Sequence, residues 1–547
     1  MVHVRSDVNL QMPHAKSFLA PNPDSTRDLI VLHTRKSPKR SFAAPARMHI
    51  AGEIALRSRG CLGPLRAMSV SAMTAGEHFL QDFVNYEAKG VPDKAGTDTT
   101  DGFDLGRMRR LLAALGDPQE AWPAVHVAGT KGKGSTTAFL ACMLKSAGYR
   151  VGTYTSPHIL SLRERVAVDT EPITPVEFDE LVSSHKQTLL QCREQEASAL
   201  SHFEVMTALA FKHFQQKQVD IAVVEAGLGG ARDATNMFSP HNLKLAIITA
   251  VGLEHQRALG ETLQEIASAK AGILKAGRPA IIAQHQEPEA LAVLQQCAQS
   301  QGCSVIRPQG LESLGVVTED GRRSQRVRLS LDNSSSVREV DMQLLGLVQL
   351  DNAATASTAA LQLRADGFPE LSDDAIGAGL AAAALPGRFQ ILSLANTSAQ
   401  QEDLPWVVLD GAHTPAAAQA LVATLAEVFP DEPLVLVVAM AEDKDHRGIL
   451  AALREAKPQA IIFTSVAIAG AQTRSAAPGK LAAQWQAIGM SKSRHHRCRE
   501  MIQASMPSSM EATRRELQAV DGRGVVCVTG SLHAVAEALS SVEMQPQ

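Results

Sequence analysis

The sequence predicts an α/β fold in two lobes, each built on a mainly parallel sheet. Three observations predict it. The chain has 547 residues, too many for one hydrophobic core. Short apolar segments alternate with helical ones, which is typical of parallel sheets. Polar residues gather just after the apolar segments, and parallel α/β sheets bind their ligands outside the carboxyl ends of the strands.

The first lobe follows from a series of such segments. "FDLGRMRRLLAALG" predicts a helix that stops at glycine. "AVHVAGT" predicts a strand running into a glycine-rich loop, and "STTAFLACMLKSAGY" a helix starting near Ser135. "RVGTYTS", "VDIAVVEAGLGG" and "LKLAIITAVGLEH" predict three more strands. Alternation and turn residues over 308–345 indicate a small β insertion.

The second lobe begins after a helix in "NAATASTAALQLRADG" and a hinge in "LPGRFQIL". Four apolar strands follow, in "WVVLDGAH", "LVLVVAM", "AIIFTSV" and "GVVCVTGSLHAVAEAL". We place the boundary near residue 387 and predict domains over 75–386 and 387–547.

Composition and charge exclude several classes of protein. The chain is 45% hydrophobic and 20% charged, as in an ordinary globular enzyme. A net charge of -4 argues against a general nucleic-acid surface. The seven cysteines show no CxxC spacing, so we expect reduced thiols in an intracellular compartment. The sequence contains no stretch of eighteen uninterrupted apolar residues, so it predicts no membrane span.

Residues 1–74 differ in composition from the rest. They are rich in Arg, Ser and Ala and poor in acids, which is typical of an organelle transit peptide. The alternative is a disordered extension without function. Apolar residues at helical spacing in "AMTAGEHFLQDFVNYEAKG" predict that the folded part begins near residue 75.

The loop in "HVAGTKGKGSTT" predicts a phosphate-binding site. Its glycines bring backbone N–H groups close to an anion, the following helix adds its positive end, and Lys133 adds a charge for the β- and γ-phosphates. The common loop has Ser or Thr directly after the lysine. Here Gly134 takes that place and the hydroxyl comes later, at Ser135. The alternative is a glycine-rich turn with a solvated lysine.

Two side chains at strand ends are candidate metal ligands. Glu225 ends an apolar strand, where a carboxylate is costly unless paired or bound to metal, and Mg²⁺ favours carboxylates with phosphate oxygens and water. Ser156 precedes Pro157 at another strand end. The alternatives are a structural ion pair for Glu225 and a strand-terminating turn for Ser156.

Other candidates follow strands or lie among small residues. His255 lies just past a strand and is a ligand candidate or a hydrogen-bonded core histidine. Lys270 lies in a helix among alanines, so it either meets a carboxylate or is converted by CO₂ to a carbamate. Arg163, in "LRERVAV", meets an anionic substrate or is surface charge. In the second lobe, Asp410 and His413 either bind hydroxyl groups or complete a strand-end turn.

Together these segments resemble the dihydrofolate synthase/folylpolyglutamate synthase family of the Mur-ligase superfamily. The landmarks occur in family order over about 75–540: "AGTKGKGS", "YTSPH", "RERV", "HFE", "EAGLGGARDATN", "EHQRALGETLQEIASAKAGI", "QLDNAATA", "LPGRF", "LDGAH", "AMAEDKDHRGI" and "TGSLHAV". "GVPDKAGTDTTDGFDLGRMRRLL" and "VAIAGAQTRS" look closest to plant-type dihydrofolate synthase. The resemblance implies an N-terminal P-loop ATPase domain and a smaller C-terminal Rossmann-like α/β domain.

The resemblance also implies an activity. ATP phosphorylates the carboxylate of dihydropteroate, and L-glutamate attacks the acyl phosphate to give dihydrofolate, ADP and phosphate. The implied cofactors are ATP, two Mg²⁺ and a monovalent cation. We expect a monomer in the mitochondrial matrix, with the cytosol as the alternative, and no nucleic-acid or membrane partner.

The resemblance carries roles to individual residues. Ser156 and Glu225 match ligands of one Mg²⁺, His255 matches a ligand of the second, and Lys270 matches a carbamylated lysine near it. Lys133, His255 and Lys270 are the implied catalytic groups. Weaker matches for substrate binding are Arg163, Phe203 and Ser531. The implied ATP-binding residues are Gly129, Thr130, Lys131, Gly132, Lys133, Gly134, Ser135, Asn352, Arg388, Asp410 and His413.

Two departures and three competing functions remain. Val348 stands where the family often has His, which is expected to loosen a nucleotide contact. Val205 stands where relatives often have Tyr, which is expected to alter the pterin pocket.

The competing functions are an enzyme that extends folates with further glutamates, a P-loop ATPase of another class, and a non-catalytic nucleotide-binding relic. The second α/β lobe argues against the ATPase, and intact Lys133, Glu225, His255 and Lys270 argue against the relic.

Overall fold

The computed structural model describes residues 73–98, 102–319, 322–330, 337–393, 405–468, 472–490, 498–518 and 523–543. The predicted transit peptide over 1–74 lies outside the described residues except for its last two positions. The predicted α/β class is confirmed. In the part of the chain that is described, no helix is both long and apolar enough to cross a bilayer.

An eight-stranded sheet forms the centre of the N-terminal lobe, which we define as the described residues up to 382. Its strand order is β4-β3-β2-β5-β1-β6-β7-β8, and β3 runs opposite to the other strands, in antiparallel pairs with β2 and β4. The sequence predicted β1, β2, β5 and β6; the outer strands span two or three residues, too few for a pattern. The strands are β1 (Ala124–Ala128), β2 (Val151–Tyr154), β3 (Val166–Val168), β4 (Glu171–Pro172), β5 (Ile221–Glu225), β6 (Leu243–Ile248), β7 (Ala280–Ile282) and β8 (Val305–Ile306).

Helices cover both faces of this sheet. In β1, Ala124 and Ala128 enter one core, and Val125 and Val127 enter the other. A strand buried on both faces has a continuous apolar sequence, without alternation. The helices are α1 (Ala75–Leu80), α2 (Tyr86–Lys89), α3 (Leu105–Ala114), α4 (Lys133–Ser146), α5 (Pro175–Gln195), α6 (His202–Lys217), α7 (Gln256–Leu259), α8 (Leu263–Ala271), α9 (Pro288–Ser300), α10 (Leu347–Ala365) and α11 (Asp373–Ala382).

The predicted β insertion is a separate antiparallel sheet of order β11-β10-β9. Val327 and Leu329 pack into the core of the N-terminal lobe, and Val316 packs against the core of the other lobe. The insertion therefore bridges the two lobes. Its strands are β9 (Glu312–Glu319), β10 (Arg322–Ser330) and β11 (Val337–Met342).

A six-stranded sheet forms the centre of the C-terminal lobe, which we define as described residues from 390 onward. The order is β12-β13-β17-β14-β15-β16, with only β12 antiparallel. The four strands that the sequence predicts are the inner ones, β13, β17, β14 and β15. The last residues of the predicted hinge "LPGRFQIL" belong instead to the edge strand β12. The elements are β12 (Gln390–Ser393), β13 (Trp406–Leu409), α12 (Pro415–Val428), β14 (Leu434–Val438), α13 (His446–Arg454), β15 (Ala460–Phe463), α14 (Pro478–Met490), β16 (Arg499–Ile502), α15 (Met506–Gln518), β17 (Val525–Thr529) and α16 (Leu532–Glu543).

Candidate functional site

A cleft of about 1830 Å³ is lined by residues of both lobes. Most of the predicted site residues line it. Gly129, Arg163 and Lys270 are not among its lining residues. Those that are comprise Thr130, Lys131, Gly132, Lys133, Gly134, Ser135, Ser156, Phe203, Glu225, His255, Asn352, Arg388, Asp410, His413 and Ser531.

The predicted phosphate loop joins β1 to α4. Helix α4 begins at Lys133, earlier than the predicted Ser135, because Gly132 takes a left-handed conformation with φ 87° and serves as its N-cap. Lys133 and Gly134 therefore belong to the first helical turn, whose N–H groups have no intrahelical partner. The backbone and the positive helix end both face the cleft, which is the arrangement that binds phosphate.

Lys133 connects this loop to the carboxylate on β5. Its Nζ donates to the carbonyl oxygen of Gly129 at 3.1 Å and lies 3.7 Å from Oε1 of Glu225. Glu225 is 4% exposed. Burial raises the pKa of this carboxyl group, and the nearby charge of Lys133 opposes the rise. A divalent cation would favour the ionised form further.

Ser156 lies beside Glu225, as the metal hypothesis requires. The backbone N–H of Ser156 donates to Oε2 of Glu225 at 3.4 Å. An ideal Cβ at Gly134 would lie 3.5 Å from the same oxygen. One carboxylate and one hydroxyl beside a phosphate loop fit an Mg²⁺ ion, which takes its other ligands from phosphate and water. In the described part of the chain, no three His, Cys, Asp or Glu side chains form a closed metal cage.

Lys270 lies beneath the phosphate loop and does not line the cleft. It is 3% exposed, and its Nζ donates to the carbonyl oxygen of Gly129 at 2.9 Å. Burial, assisted by the charge of Lys133, lowers the pKa of Lys270 to about 7. The predicted buried lysine is therefore present, but as an amine it is a donor and not a metal ligand. A ligand role would require the carbamate.

His255 is exposed in the cleft and is not a core histidine. It takes a left-handed conformation, with φ 53°, just before α7. Desolvation by the surrounding protein lowers the pKa of His255 to about 4, with Glu254 opposing and Lys270 assisting. Its imidazole is neutral at pH 7, the form that binds metals. The adjacent Glu254 forms an ion pair with Lys131 of the phosphate loop.

The C-terminal lobe presents a partly buried carboxylate to the cleft. Asp410 accepts hydrogen bonds from the N–H groups of Phe389 at 2.8 Å and Ala412 at 2.9 Å. Burial raises the pKa of Asp410, and the charge of Arg388 opposes the rise. Nδ1 of His413 lies 2.8 Å from the carbonyl oxygen of Gly411. The predicted strand-end turn is therefore present, with its side chains lining the cleft.

The weaker substrate predictions have mixed outcomes. Phe203 lines the cleft and packs on Tyr154, with ring centroids 6.0 Å apart. Ser531 lines it and accepts the N–H of Ala534 at 3.1 Å, at the start of α16. Arg163 is neither surface charge nor a cleft residue: it is 5% exposed, and its Nε lies 3.4 Å from Glu77 Oε1.

The two family departures differ in position. Val348 is 47% exposed and lines the cleft, so the weaker nucleotide contact expected there stays a prediction. Val205 is fully buried in α6 and does not line the cleft. The expectation that Val205 alters the pterin pocket therefore stays a prediction, and any such effect would have to pass through the core in which the side chain is packed.

Asp233 and Arg474 are among the cleft residues that the sequence does not predict. Asp233 accepts the N–H groups of Leu228 at 2.7 Å and Thr235 at 3.0 Å, which shapes the loop after Glu225. An Asp that bonds the backbone two residues on is a recognised turn signal, so this role could have been found. Arg474 ends a short 3-10 helix of the other lobe, Gln472–Arg474, and no local pattern indicates that it reaches the cleft.

Comparison with known proteins decides the family. Residues 127–360 match the Mur ligase middle domain, and residues 387–532 match the glutamate ligase domain of Mur ligases. The chain is 36% identical over 363 residues to dihydrofolate synthase/folylpolyglutamate synthase of Bacillus subtilis, covering 66% of this chain and 80% of that protein. The chain belongs to the dihydrofolate synthase/folylpolyglutamate synthase family of the Mur ligases.

Two other members of the family are similar to it. Human mitochondrial folylpolyglutamate synthase is 32% identical over 356 residues, covering 62% of this chain and 58% of that protein. The fold is also similar to the crystal structure of Mycobacterium tuberculosis folylpolyglutamate synthase with ADP and AMPPCP. The two structures superpose with a TM-score of 0.68 and 30% sequence identity, over 81% of this chain and 96% of that one. These comparisons do not distinguish the two activities named in the family.

Proposed function

We propose that this protein ligates L-glutamate to the carboxylate of dihydropteroate, using ATP. A carboxylate oxygen of dihydropteroate attacks the γ-phosphorus, and ADP leaves. The amine of glutamate then attacks the acyl carbon, and phosphate leaves with the former carboxylate oxygen. The products are dihydrofolate, ADP and phosphate.

One observation carries the proposal: the phosphate loop with Lys133 and the buried Glu225 faces the same cleft as Asp410 of the other lobe and Arg388 of the segment that joins the lobes. A simple nucleotide switch needs only the phosphate loop and its carboxylate. An enzyme that forms an acyl phosphate also needs the groups on the opposite side, because a cleft lined from two sides keeps water from the intermediate until the amine arrives. The known relatives, which are folate–glutamate ligases by name, support the same reading.

We assign the loop 129–135 to the phosphates of ATP. Its N–H groups and Lys133 would hold the β- and γ-phosphates. We also assign four further residues to the nucleotide. Asn352 approaches it from α10 of the N-terminal lobe, and Arg388, Asp410 and His413 approach it from the opposite side of the cleft. The nucleotide bound in the crystal structure of the mycobacterial relative supports the use of ATP.

We assign one Mg²⁺ to Ser156 and Glu225, and a second to His255 with a carbamate on Lys270. When bound, such ions neutralise charge on the phosphoryl group during transfer. Hydrogen bonds within the chain hold two of these proposed metal ligands in place. Glu225 accepts one from the N–H of Ser156, and Lys270 donates one to the carbonyl oxygen of Gly129. A monovalent cation is a further proposed cofactor.

The experiment is a phosphate-release assay with purified protein and MgATP. We expect phosphate only when dihydropteroate and glutamate are both present. Equal release without dihydropteroate would reject the ligase proposal in favour of a P-loop ATPase of another class. No release under any condition would favour the non-catalytic relic.

The second candidate is folylpolyglutamate synthase activity, alone or in addition, because both names occur among the relatives. Replacing dihydropteroate by tetrahydrofolate separates the two. Ligation with dihydropteroate alone supports dihydrofolate synthase, ligation with tetrahydrofolate alone supports polyglutamylation, and ligation with both indicates a bifunctional enzyme.

The remaining proposals concern organisation and location. We propose domains over 75–386 and 387–547, a monomer, and a transit peptide over 1–74. The mitochondrial human relative supports an organellar location. A fluorescent fusion of residues 1–75 that reaches the mitochondrial matrix would support it, and a fusion that stays in the cytosol would refute targeting by this segment.

A further inference from the structure

Arg474 of the C-terminal lobe reaches the backbone of the N-terminal lobe. Its Nη1 donates to the carbonyl oxygen of Glu87 at 3.0 Å and to that of Ala88 at 3.2 Å. Both carbonyls belong to α2, near its C-terminal end. Carbonyls at a helix end lack intrahelical partners and attract a cation. The contact therefore satisfies the end of α2 with a charge from the other lobe.

The backbone of Arg474 is fixed to the sheet of its own lobe. The N–H of Glu442 donates to the carbonyl oxygen of Arg474 at 2.9 Å, and the N–H of Ala476 donates to that of Met440 at 2.9 Å. Met440 and Glu442 follow β14, the neighbour of β17. The guanidinium group therefore moves with the C-terminal sheet.

Its partner α2 leads directly to the loop that carries Ser156. The carboxylate of Glu87 accepts two hydrogen bonds from Arg165, at 2.7 and 2.6 Å. Arg165 is 1% exposed, and its Nε donates to Nδ1 of His158 at 3.0 Å. His158 stands two residues after Ser156. A bidentate pair with a buried guanidinium is a stiff connection, so displacement of α2 would be passed to this loop.

The same loop touches the C-terminal lobe on its other side. Ile159 and Leu160 pack against the core of that lobe. Their N–H groups both donate to Glu164 at 2.8 Å, which holds the loop in shape. The Ser156 loop is therefore held between the C-terminal core and the α2 contact, and its position depends on how closely the lobes approach.

We propose that Arg474 is a positioning residue that holds the cleft closed while the acyl phosphate exists. This inference rests on the proposed function. With the contact intact, Ser156 and the C-terminal lobe stay in place and the intermediate meets only the amine. Without it, the cleft opens and water attacks the acyl phosphate. The acyl–oxygen bond then breaks, phosphate leaves, dihydropteroate is regenerated, and the net reaction is hydrolysis of ATP.

The test compares Arg474→Ala and Arg474→Lys with the unchanged protein, using Arg515→Ala as the matched control. Arg515 forms an exposed ion pair with Glu511 on the surface helix α15, with both side chains more than 60% exposed. The measured quantity is phosphate released per glutamate incorporated, at saturating glutamate. Glutamate KM and the thermal unfolding midpoint are recorded for each variant.

We expect one phosphate per glutamate in the unchanged protein and the control. For Arg474→Ala we expect the phosphate released per glutamate to rise about threefold or more, because an open cleft admits water. The ratio for Arg474→Lys should lie between those of Arg474→Ala and the unchanged protein, since lysine keeps the charge but loses the planar fork. Glutamate KM should stay within about twofold, because Arg474 acts through α2.

Two results would overturn the inference. A lower rate with an unchanged phosphate-to-glutamate ratio would make the contact merely structural. A large rise in glutamate KM, with the ratio restored at saturation, would make Arg474 a ligand of glutamate. Failure of the proposed function would be seen separately, as no dihydropteroate-dependent phosphate release in the unchanged protein.

Discussion

The amide oxygen of Asn352 fills the space where a side chain at Gly132 would begin. An ideal Cβ on Gly132 would lie 2.2 Å from Oδ1 of Asn352. The amide is held in place, because its Nδ2 donates to Oε1 of Gln349 at 3.0 Å. Helix α10 therefore closes one side of the phosphate loop, and this packing requires a glycine.

Gly132→Ala should damage the loop far more than Gly134→Ala, although the two positions are two residues apart. Gly132 has φ 87° and no room for Cβ, whereas at Gly134 the nearest atom, Oε2 of Glu225, is an ordinary 3.5 Å away. We expect kcat/KM for ATP to fall by about 100-fold or more in Gly132→Ala and by less than about 10-fold in Gly134→Ala. Similar losses in both variants would contradict this account of the loop.

Ser156→Ala should weaken the binding of Mg²⁺, and Ser135→Ala should not. Ser156 lies beside Glu225, while Ser135 is 5% exposed on α4. We expect the Mg²⁺ concentration for half-maximal rate to rise by about 10-fold in Ser156→Ala. Titration of each variant with Mg²⁺ measures it. The reverse ranking would give the metal-ligand role to Ser135, the hydroxyl closest to the common position.

Lys270→Ala should lose activity, and Lys270→Arg should not restore it. Arginine keeps the positive charge but cannot form a carbamate. We expect kcat to fall by about 100-fold or more in both variants. Labelling with ¹³C-bicarbonate should show a carbamate carbon in the unchanged protein alone. An active Lys270→Arg variant would show that the amine acts only as a donor to the loop carbonyl of Gly129.

Arg323→Ala should lower the stability of the protein more than Arg328→Ala on the same strand. The guanidinium of Arg323 lies 4.3 Å from the Phe429 ring centroid and pairs with Glu432 at 3.2 Å, with the side chain 16% exposed. We expect a loss of about 1–3 kcal/mol in the free energy of unfolding.

Arg328 is the control because its ion pairs with the described residues Glu312 and Glu339 lie on an exposed face, with its side chain 38% exposed. Exposed pairs contribute little, so Arg328→Ala should change the free energy of unfolding by less than about 1 kcal/mol. Chemical denaturation measures both variants. Equal effects would show that the bridge between the β insertion and the C-terminal lobe adds no stability.

The parts of the fold that were predictable are those with a strong local pattern. β1, β5 and β14 are apolar runs because both faces of each sheet are covered, and the glycine loop after β1 has its own signature. Short edge strands such as β8 left no such pattern. The sequence predicts a hinge at edge strand β12 because its four residues adjoin a glycine turn.

The site was predictable where polar residues follow strands and unpredictable where contacts cross between lobes. Glu225 and Asp410 each follow or end a strand, so the parallel sheet brings them to the cleft. Arg163 and Arg165 stand two residues apart and look alike in sequence. Only the structure shows that Arg163 turns to Glu77 and Arg165 to Glu87.

The central claim is that the carboxylate is activated as an acyl phosphate, and isotope transfer tests it most directly. Dihydropteroate labelled with ¹⁸O in both carboxylate oxygens is incubated with MgATP, glutamate and the protein, and the phosphate is analysed by mass spectrometry. The account predicts that one ¹⁸O enters each phosphate released and the other stays in the new amide. Ligated product accompanied by unlabelled phosphate would contradict it.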